Sequence, residues 1–312
     1  MAFGTAAGYG NLPSGNFAPE IFSQKVLKFF RRASVVEDIT NTDYAGEIEN
    51  FGDTVRIIKE PTVTVASYTR GSVVNPQDLA DDQITMTVDQ ANAFAFKIDD
   101  IEERHSHVNF EALATSSGAF SLKRKYDANI LQAMADGAGI TGTTIGTAAS
   151  PVDITGSGNE DAAVNLLLSM ARLMDDNSVP EENRWFVAPP VFYENMFKAG
   201  AKFAEVQVTG DATSPLRNGL VMQGNIAGFN CYKSTVLNNS GTDVVTITSQ
   251  DTTNDFVVLG GHMSSTSTAS HIAKTEVVRS TETFSDIVRG LHVFGRKVLR
   301  PEALAVGVVK TD

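Results

Sequence analysis

Three glycines near the middle of the chain have the spacing of a nucleotide-binding loop. Gly137, Gly139 and Gly142 form a GxGxxG pattern, in which glycines could bring backbone amides and a helix N-terminus against a pyrophosphate. A dinucleotide site needs this pattern between a strand and a helix, but here it follows a helical pattern and no helix starts after it. The sequence therefore favours a helix end followed by a loop over a nucleotide site.

The titratable groups that could bind a metal or do acid–base chemistry lack the companions they would need. His105 and His107 are two residues apart. Near the start of a predicted helix this spacing turns their side chains about 200° apart, which indicates surface histidines without a shared metal. Carboxylates cluster at Asp99, Asp100, Glu102 and Glu103 and at Asp175 and Asp176. Such runs usually mark a solvated face or an ion pair between subunits, so we expect no catalytic residue, metal site or cofactor, and no enzyme.

The composition argues against several other classes of protein. The chain has 312 residues, a formal net charge of −12 and a single cysteine, Cys231. The negative charge disfavours a general nucleic-acid binder, because neutralising phosphates requires an excess of Lys and Arg. Cys231 cannot form an internal disulfide and is predicted to be a buried, inert thiol. Since no apolar run reaches the about 20 residues that cross a bilayer, we expect a soluble protein made in the cytoplasm, with no membrane partner.

A two-residue apolar period between residues 54 and 98 predicts two long antiparallel strands joined around 71–82. The apolar residues on one face are Ile84, Met86, Val88, Phe94, Phe96 and Ile98 in the return strand and Val55, Ile57, Val63 and Val65 in the outgoing strand. The return strand alone would span roughly 50 Å, which is comparable with the diameter expected for the whole chain. A lone two-stranded ribbon is marginally stable and has unpaired edges. The hairpin should therefore project as an arm and lie on a neighbouring copy of the protein.

The remaining patterns contain both helices and strands and predict an α+β architecture. Residues 1–18 should form an irregular arm, and a first helix should begin at Pro19 with Phe22 and Phe29 on its apolar stripe. A long helix is predicted over 109–136, a second helix from near Ser157, which has capping-box spacing with Glu160, and a third over 191–198. Strands are predicted at 185–188, 230–236, 244–248, 256–259, 274–279, 286–294 and 303–309.

Two stretches of sequence, together with this order of elements, resemble a known family. The first comprises Gly219, Gly224, Ile226, Gly228, Phe229, Tyr232 and Ser234. The second comprises Phe284, Asp286, Val288, Gly290, Leu291, Phe294, Gly295, Lys297, Val298, Pro301, Glu302 and Ala303. They resemble the glycine-rich turn and the closing strands of the major capsid (coat) proteins of tailed double-stranded DNA bacteriophages, which have the Hong Kong 97-type fold. Residues 185–193 resemble the strand, proline and helix of the same family.

The resemblance implies a division of the chain into five parts. Residues 1–43 would be the N-terminal arm and first helix, 44–98 the extended hairpin loop, 99–139 the peripheral domain with its spine helix, 140–255 the axial domain, and 256–312 the return to the peripheral domain. The side chains expected to contact neighbouring subunits are Phe22, Phe29, Val63, Val65, Ile84, Met86 and Val88.

The implied function is that of a structural major capsid protein of the virion. Copies would assemble in the host cytoplasm as pentamers and hexamers into an icosahedral head shell, which encloses phage double-stranded DNA without recognising it specifically. Because the first helix already begins at Pro19, we expect a separate scaffolding protein, together with a portal and decoration proteins. No lysine occurs between Pro61 and Phe96, which argues against the lysine-to-asparagine cross-links of some relatives.

Three other functions remain compatible with parts of the sequence. An encapsulin-like nanocompartment shares the fold but encloses enzymes, so its particles would contain a different cargo. An α/β nucleotide-binding enzyme would use the loop at 137–142 and would bind nucleotide as a monomer. A surface or filament protein would form open polymers instead of closed shells.

Overall fold

The computed structural model describes most of the chain after the first 33 residues. The described residues are 34–44, 54–61, 63–65, 67–73, 76, 82–100, 110–156, 158–159, 161–196, 225–239, 241, 243–251, 253–281 and 283–311. The helices are α1 (Val36–Ile39), α2 (Phe110–Gly137), α3 (Ala162–Asp176) and α4 (Pro190–Met196). No helix in these ranges is long and apolar enough to cross a membrane. The predicted first helix, with Phe22 and Phe29, lies outside the described residues, as does the pair His105 and His107.

Three sheets contain the strands of the described residues. The strands are β1 (Thr54–Lys59), β2 (Asp82–Thr87), β3 (Gln90–Asp99), β4 (Val152–Asp153), β5 (Arg184–Ala188), β6 (Asn225–Ile226), β7 (Phe229–Lys233), β8 (Asp255–His262), β9 (Thr266–Arg279), β10 (Ser285–Val298) and β11 (Leu304–Lys310). The two-stranded sheet is β1-β2, the three-stranded sheet is β3-β10-β9, and the six-stranded sheet has the order β4-β11-β8-β5-β7-β6. The α+β architecture is confirmed.

The six-stranded sheet forms the centre of the core because both of its faces are covered. Successive residues of β8 point to opposite faces, as the geometry of a strand requires. Phe256 and Val258 pack in one apolar cluster with Met170 of α3, whereas Val257 and Leu259 pack in a second cluster with residues of α2. A strand buried on both faces needs a nearly continuous apolar sequence. The strand predicted at 185–188 has such a sequence and is confirmed as β5, which is buried throughout.

The long helix predicted over 109–136 is confirmed as α2. Its earlier turns pack on β3 and β10, where the ring of Tyr126 contacts Phe294 edge to face with 4.9 Å between centroids. Its later turns bury Ile130, Leu131 and Met134 in the second apolar cluster of the six-stranded sheet. The helix therefore links the three-stranded sheet to the six-stranded one.

Two glycines of the GxGxxG pattern are used for close packing at the end of α2. A Cβ atom on Gly137 would lie 2.7 Å from a methyl group of Val298, and one on Gly139 would lie 2.6 Å from the carbonyl oxygen of Pro301. The Gly139 N–H donates a hydrogen bond of 2.9 Å to that same oxygen. These glycines let the helix end approach the last residue of β10 and the chain that follows it, which agrees with the predicted helix end.

The prediction of one return strand over 84–98 is wrong in one respect, because these residues form two strands in two different sheets. β2 pairs with β1 from Thr54↔Thr87 to Lys59↔Asp82. After Val88 and Asp89 the chain enters β3, which pairs with β10 from Gln90↔Phe294 to Asp99↔Ser285. The apolar period passes through the break unchanged, so the period alone could not show it. The described ribbon of the hairpin is therefore shorter than predicted, and β3 belongs to the three-stranded sheet.

Two smaller predictions also differ from the structure. Helix α3 begins at Ala162 instead of near Ser157, and its N-cap residue, Asp161, makes no side-chain capping hydrogen bond; Ser157 and Glu160 lie outside the described residues. The segment 244–248 is not a strand. Its backbone is held by a side chain instead, since Gln132 of α2 donates to the Thr246 carbonyl oxygen at 2.8 Å and accepts from the Thr246 N–H at 3.0 Å.

Candidate intersubunit surface

The base of the β1-β2 hairpin is anchored on the molecule's own three-stranded sheet. Val55, Met86 and Val88 are buried and form a small apolar cluster with Ala269 of β9. The approach is close, because a Cβ atom on Gly295 of β10 would lie 2.8 Å from the carbonyl oxygen of Thr87. The base of the hairpin is therefore part of the folded subunit.

Beyond this base, the described part of the hairpin exposes a series of large apolar side chains. Val63 is 63% exposed and Val65 is 92% exposed. The other exposed apolar side chains of the hairpin are Ile58, Tyr68 and Val73. Large exposed apolar surfaces of this kind mark sites of interaction with another molecule. We call these five residues the hairpin patch.

The chain reverses direction next to the hairpin patch in a short turn. The Ser72 N–H donates to the Thr69 carbonyl oxygen at 2.9 Å, and the Ser72 hydroxyl donates to the same oxygen at 2.7 Å. Gly71 has a φ of +90°, a conformation that favours glycine. Arg56, Glu60 and Arg70 are exposed around the patch, so the patch has a charged border.

The predicted contact residues differ in how far they are exposed. Val63 and Val65 are exposed, and Ile84 is half-buried. Met86 and Val88 are fully buried within their own chain, so the expectation that they reach a neighbouring subunit is corrected. Ile58, Tyr68 and Val73 are also exposed but are not among the predicted contact residues, although Ile58 follows Ile57 and must therefore point away from the anchored face.

A further exposed apolar side chain lies at the turn between β9 and β10. Phe284 is exposed, and its carbonyl oxygen accepts a hydrogen bond of 3.2 Å from the Asp100 N–H. Arg279 donates to both carboxylate oxygens of Asp100 and, at 2.9 Å, to Asp286. These hydrogen bonds raise the pKa of the Arg279 guanidinium above its ordinary value. This arrangement fixes the position of the turn. Because Arg279 is exposed, it contributes little to stability.

The groups that could do chemistry have structural partners in the described part of the chain. Burial raises the pKa of the Cys231 thiol to about 11 and lowers the pKa of the imidazoles of His262 and His292, so all three groups are neutral at pH 7. His262 accepts a hydrogen bond from the Ser264 N–H at 3.1 Å. Among the residues described, no three His, Cys, Asp or Glu side chains are grouped so that they could hold a metal ion.

Comparisons with known proteins identify relatives over nearly the whole chain. The family model described as phage capsid protein matches residues 82–307. A structure from Mycobacterium phage Che8 is similar, with 25% sequence identity and a TM-score of 0.74, and the match covers 93% of this chain and 97% of that one. The capsid of cyanophage P-SCSP1u matches with 18% identity and a TM-score of 0.67, over 100% and 99% of the two chains.

A third similar structure is the head of Helicobacter pylori bacteriophage KHP40. It has 13% sequence identity and a TM-score of 0.66, and the match covers 99% of each chain. No curated protein sequence matches the chain.

Proposed function

The chain belongs to the phage capsid protein family, and from this membership we infer how its exposed hairpin is used. The protein has the α+β Hong Kong 97-like capsid fold. It is a major capsid protein, a structural component of the virion that forms a shell from many copies of itself. We propose that the hairpin patch of each copy lies on an adjacent copy and that this contact drives closure of the shell.

The observation that carries this proposal is the contrast between the two ends of the hairpin. The base is buried on its own subunit, whereas the part of the chain that the structure describes leaves the hairpin patch largely exposed. Covering the patch would stabilise an assembled pair by roughly 25 cal/mol for each Å² of apolar surface removed from water. Such contacts are individually weak and act together in a closed shell, so a misplaced subunit can leave before the shell is complete.

The finer features of the function belong to the same proposal. We propose that the subunits form pentamers and hexamers, that a separate scaffolding protein directs their assembly in the host cytoplasm, and that a portal and decoration proteins complete the head. The shell would enclose phage DNA without binding it tightly, because the net charge of −12 disfavours adhesion to phosphates. The five-part division of the chain fits this role, with the extended loop ending at Val88 instead of residue 98. We propose that the protein has no enzymatic activity.

A charge in the hairpin patch tests this function. Val65→Asp should give a folded, soluble subunit that forms no closed shells, because Val65 is 92% exposed in the single chain and a buried unpaired carboxylate would oppose its covering in the assembly. Folding is measured by circular dichroism, and assembly by sedimentation and negative-stain imaging.

Val65→Thr is the matched control, because threonine is isosteric with valine and uncharged, and it should still give shells. Normal closed shells from Val65→Asp would contradict the proposed role of the patch. The contents of the unmodified particles separate the alternatives: DNA supports a phage head, and host or accessory enzymes support a nanocompartment.

A further inference from the structure

In the described part of the chain, two of the three crossings between the larger sheets pass side by side. The chain crosses from β3 through α2 to β4, from β8 to β9, and from β10 to β11. The second crossing runs through residues 262–266 and the third through residues 298–304, and we call these two segments the sheet junction. The Ser265 carbonyl oxygen joins them, because it accepts hydrogen bonds from the Leu299 N–H at 2.8 Å and the Arg300 N–H at 3.1 Å.

The ring of His262 holds the turn of the sheet junction that follows β8. The Ser264 N–H donates to His262 Nδ1 at 3.1 Å, and the Ser264 hydroxyl lies 2.8 Å from the same nitrogen. Arg300 of the other crossing donates to that hydroxyl at 3.2 Å. A ring nitrogen accepts a hydrogen bond only while it carries no proton, so these contacts need the neutral imidazole.

A protonated His262 would have two guanidinium groups as neighbours. Arg184 of β5 is its direct partner across the β5-β8 ladder, and the Arg184 side chain is buried and paired with Asp175 of α3 at 2.7 Å. Burial first, and then the charges of Arg300 and Arg184, lower the pKa of the His262 imidazole. A hydrogen bond with the backbone of Glu182 acts in the opposite direction. A proton on this ring is therefore opposed by burial and by like charges on two other segments.

The residues that follow the turn would gain from contact with water. The hydroxyl groups of Ser265, Thr266 and Ser267 are buried and have no hydrogen-bond partner among the described residues. A buried polar group without a partner is costly, so opening this crossing would satisfy groups that the closed form leaves unpaired. This lowers the free energy of local opening once the hold on the turn is lost.

We propose that His262 is an acid-sensitive lock that holds the two crossings of the sheet junction together. The neutral ring fixes the turn at Ser264, and the turn presents the Ser265 carbonyl oxygen to the other crossing. The protonated ring donates where it must accept and repels both guanidinium groups, so the turn opens and α2 becomes the main link between the sheets. Because the pKa is lowered in the folded chain, this stabilisation is complete above the ordinary histidine value of about 6.5 and is lost as the pH falls through the lowered one.

Hydrogen exchange of the unassembled, full-length subunit tests this inference. Lowering the pH from about 7.5 to about 5 should reduce the protection of the Ser264, Leu299 and Arg300 amides by about tenfold, after correction for the intrinsic effect of pH on exchange. His262→Asn should remove this loss, because the asparagine oxygen can accept from the Ser264 N–H at both pH values and has no charge. Equal protection of the parent at both pH values would overturn the inference, as would an undiminished loss in His262→Asn.

Two further variants show whether the loss comes from this histidine. His292→Asn is the matched control, since His292 is also half-buried with a lowered pKa but lies against Ser270 in the three-stranded sheet. It should lose protection at the sheet junction as the parent does, and a variant that keeps its protection would contradict the lock.

Arg300→Gln keeps a side-chain N–H for the Ser264 hydroxyl but removes one of the two positive charges, so it should lose less protection than the parent. If circular dichroism shows that His262→Asn does not fold, this variant decides the question. A loss in Arg300→Gln equal to that of the parent then overturns the inference.

Discussion

The side chain of Phe94 shows how individual residues hold the long helix to its sheet. A Cβ atom on Gly118 would lie 2.8 Å from the Phe94 ring, and one on Gly290 would lie 2.4 Å from it. The ring therefore fills the space that two missing side chains leave, one on α2 and one on β10. The glycine in the middle of the helix, which normally costs helix stability, is explained by this contact.

Replacing Gly118 by alanine should destabilise the subunit, although helix propensity alone predicts the opposite. Propensity would stabilise the helix by about 1 kcal/mol, whereas forcing a methyl group against a packed ring costs about 1–3 kcal/mol. We expect a net loss of about 1 kcal/mol in the free energy of unfolding of the unassembled subunit, measured in urea. Ser117→Ala, at an exposed neighbouring position of the same helix, should change it by less than about 0.5 kcal/mol. A Gly118→Ala subunit more stable than the parent would show that Phe94 moves aside freely.

At the scale of elements, the hairpin combines a fixed base with an exposed distal part. Met86 in the base has no exposed surface, whereas Val65 in the distal part is almost fully exposed. The same two-residue period runs through both positions, so the sequence pattern treats them alike. Their different surroundings predict that substitutions will act on different properties of the protein.

Two alanine substitutions separate the base from the distal part. Met86→Ala should lower the free energy of unfolding of the unassembled subunit by about 2–5 kcal/mol, because it leaves a cavity in a buried cluster. Val65→Ala should change that free energy by less than about 0.5 kcal/mol and should instead raise the concentration of subunit needed for shell formation. Urea unfolding measures the first quantity, and light scattering against concentration measures the second. Equal stabilities of the two variants would mean that the base is not anchored in solution.

Local patterns predicted the elements whose partners are close in sequence or whose faces are uniform. Helix α2 was predicted because its apolar stripe is long and two glycines follow it, and β5 because its sequence is apolar throughout. The break at Val88 was not predicted, because β2 pairs with the nearby β1 whereas β3 pairs with the distant β10, and this difference leaves no local signal. The exposed side chains of the hairpin were predicted only in part for the same reason. Val63 and Met86 share a pattern, and only the position of Ala269 and Val293 decides which of them is covered.

For the whole molecule, charge opposes the association that apolar surface favours. Each subunit has a formal net charge of −12, so copies repel one another at distances beyond contact. The repulsion keeps free subunits apart, and apolar contacts between subunits must overcome it in the shell.

Raising the salt concentration should therefore accelerate assembly. Between 0.1 M and 1 M salt the screening length falls from about 10 Å to about 3 Å, which removes most of the repulsion but leaves the apolar contacts intact. We expect a lower threshold concentration and a faster rise of light scattering at the higher salt concentration. A Val65→Asp subunit should gain little from the same change. Slower assembly of the parent at high salt would mean that ion pairs between subunits, and not apolar contacts, dominate the interface.

The pairing of β3 with β10 also has a consequence for how the protein is made. Gln90 of β3 pairs with Phe294 of β10, so a ribosome must synthesise most of the polypeptide before β3 can pair with its native partner strand. Closing so long a loop is slow compared with forming local helices. Until it closes, the amide and carbonyl groups of β3 are open to pairing with any other nascent chain. In a cell that translates many copies at once, chains at this stage can therefore associate wrongly through β3.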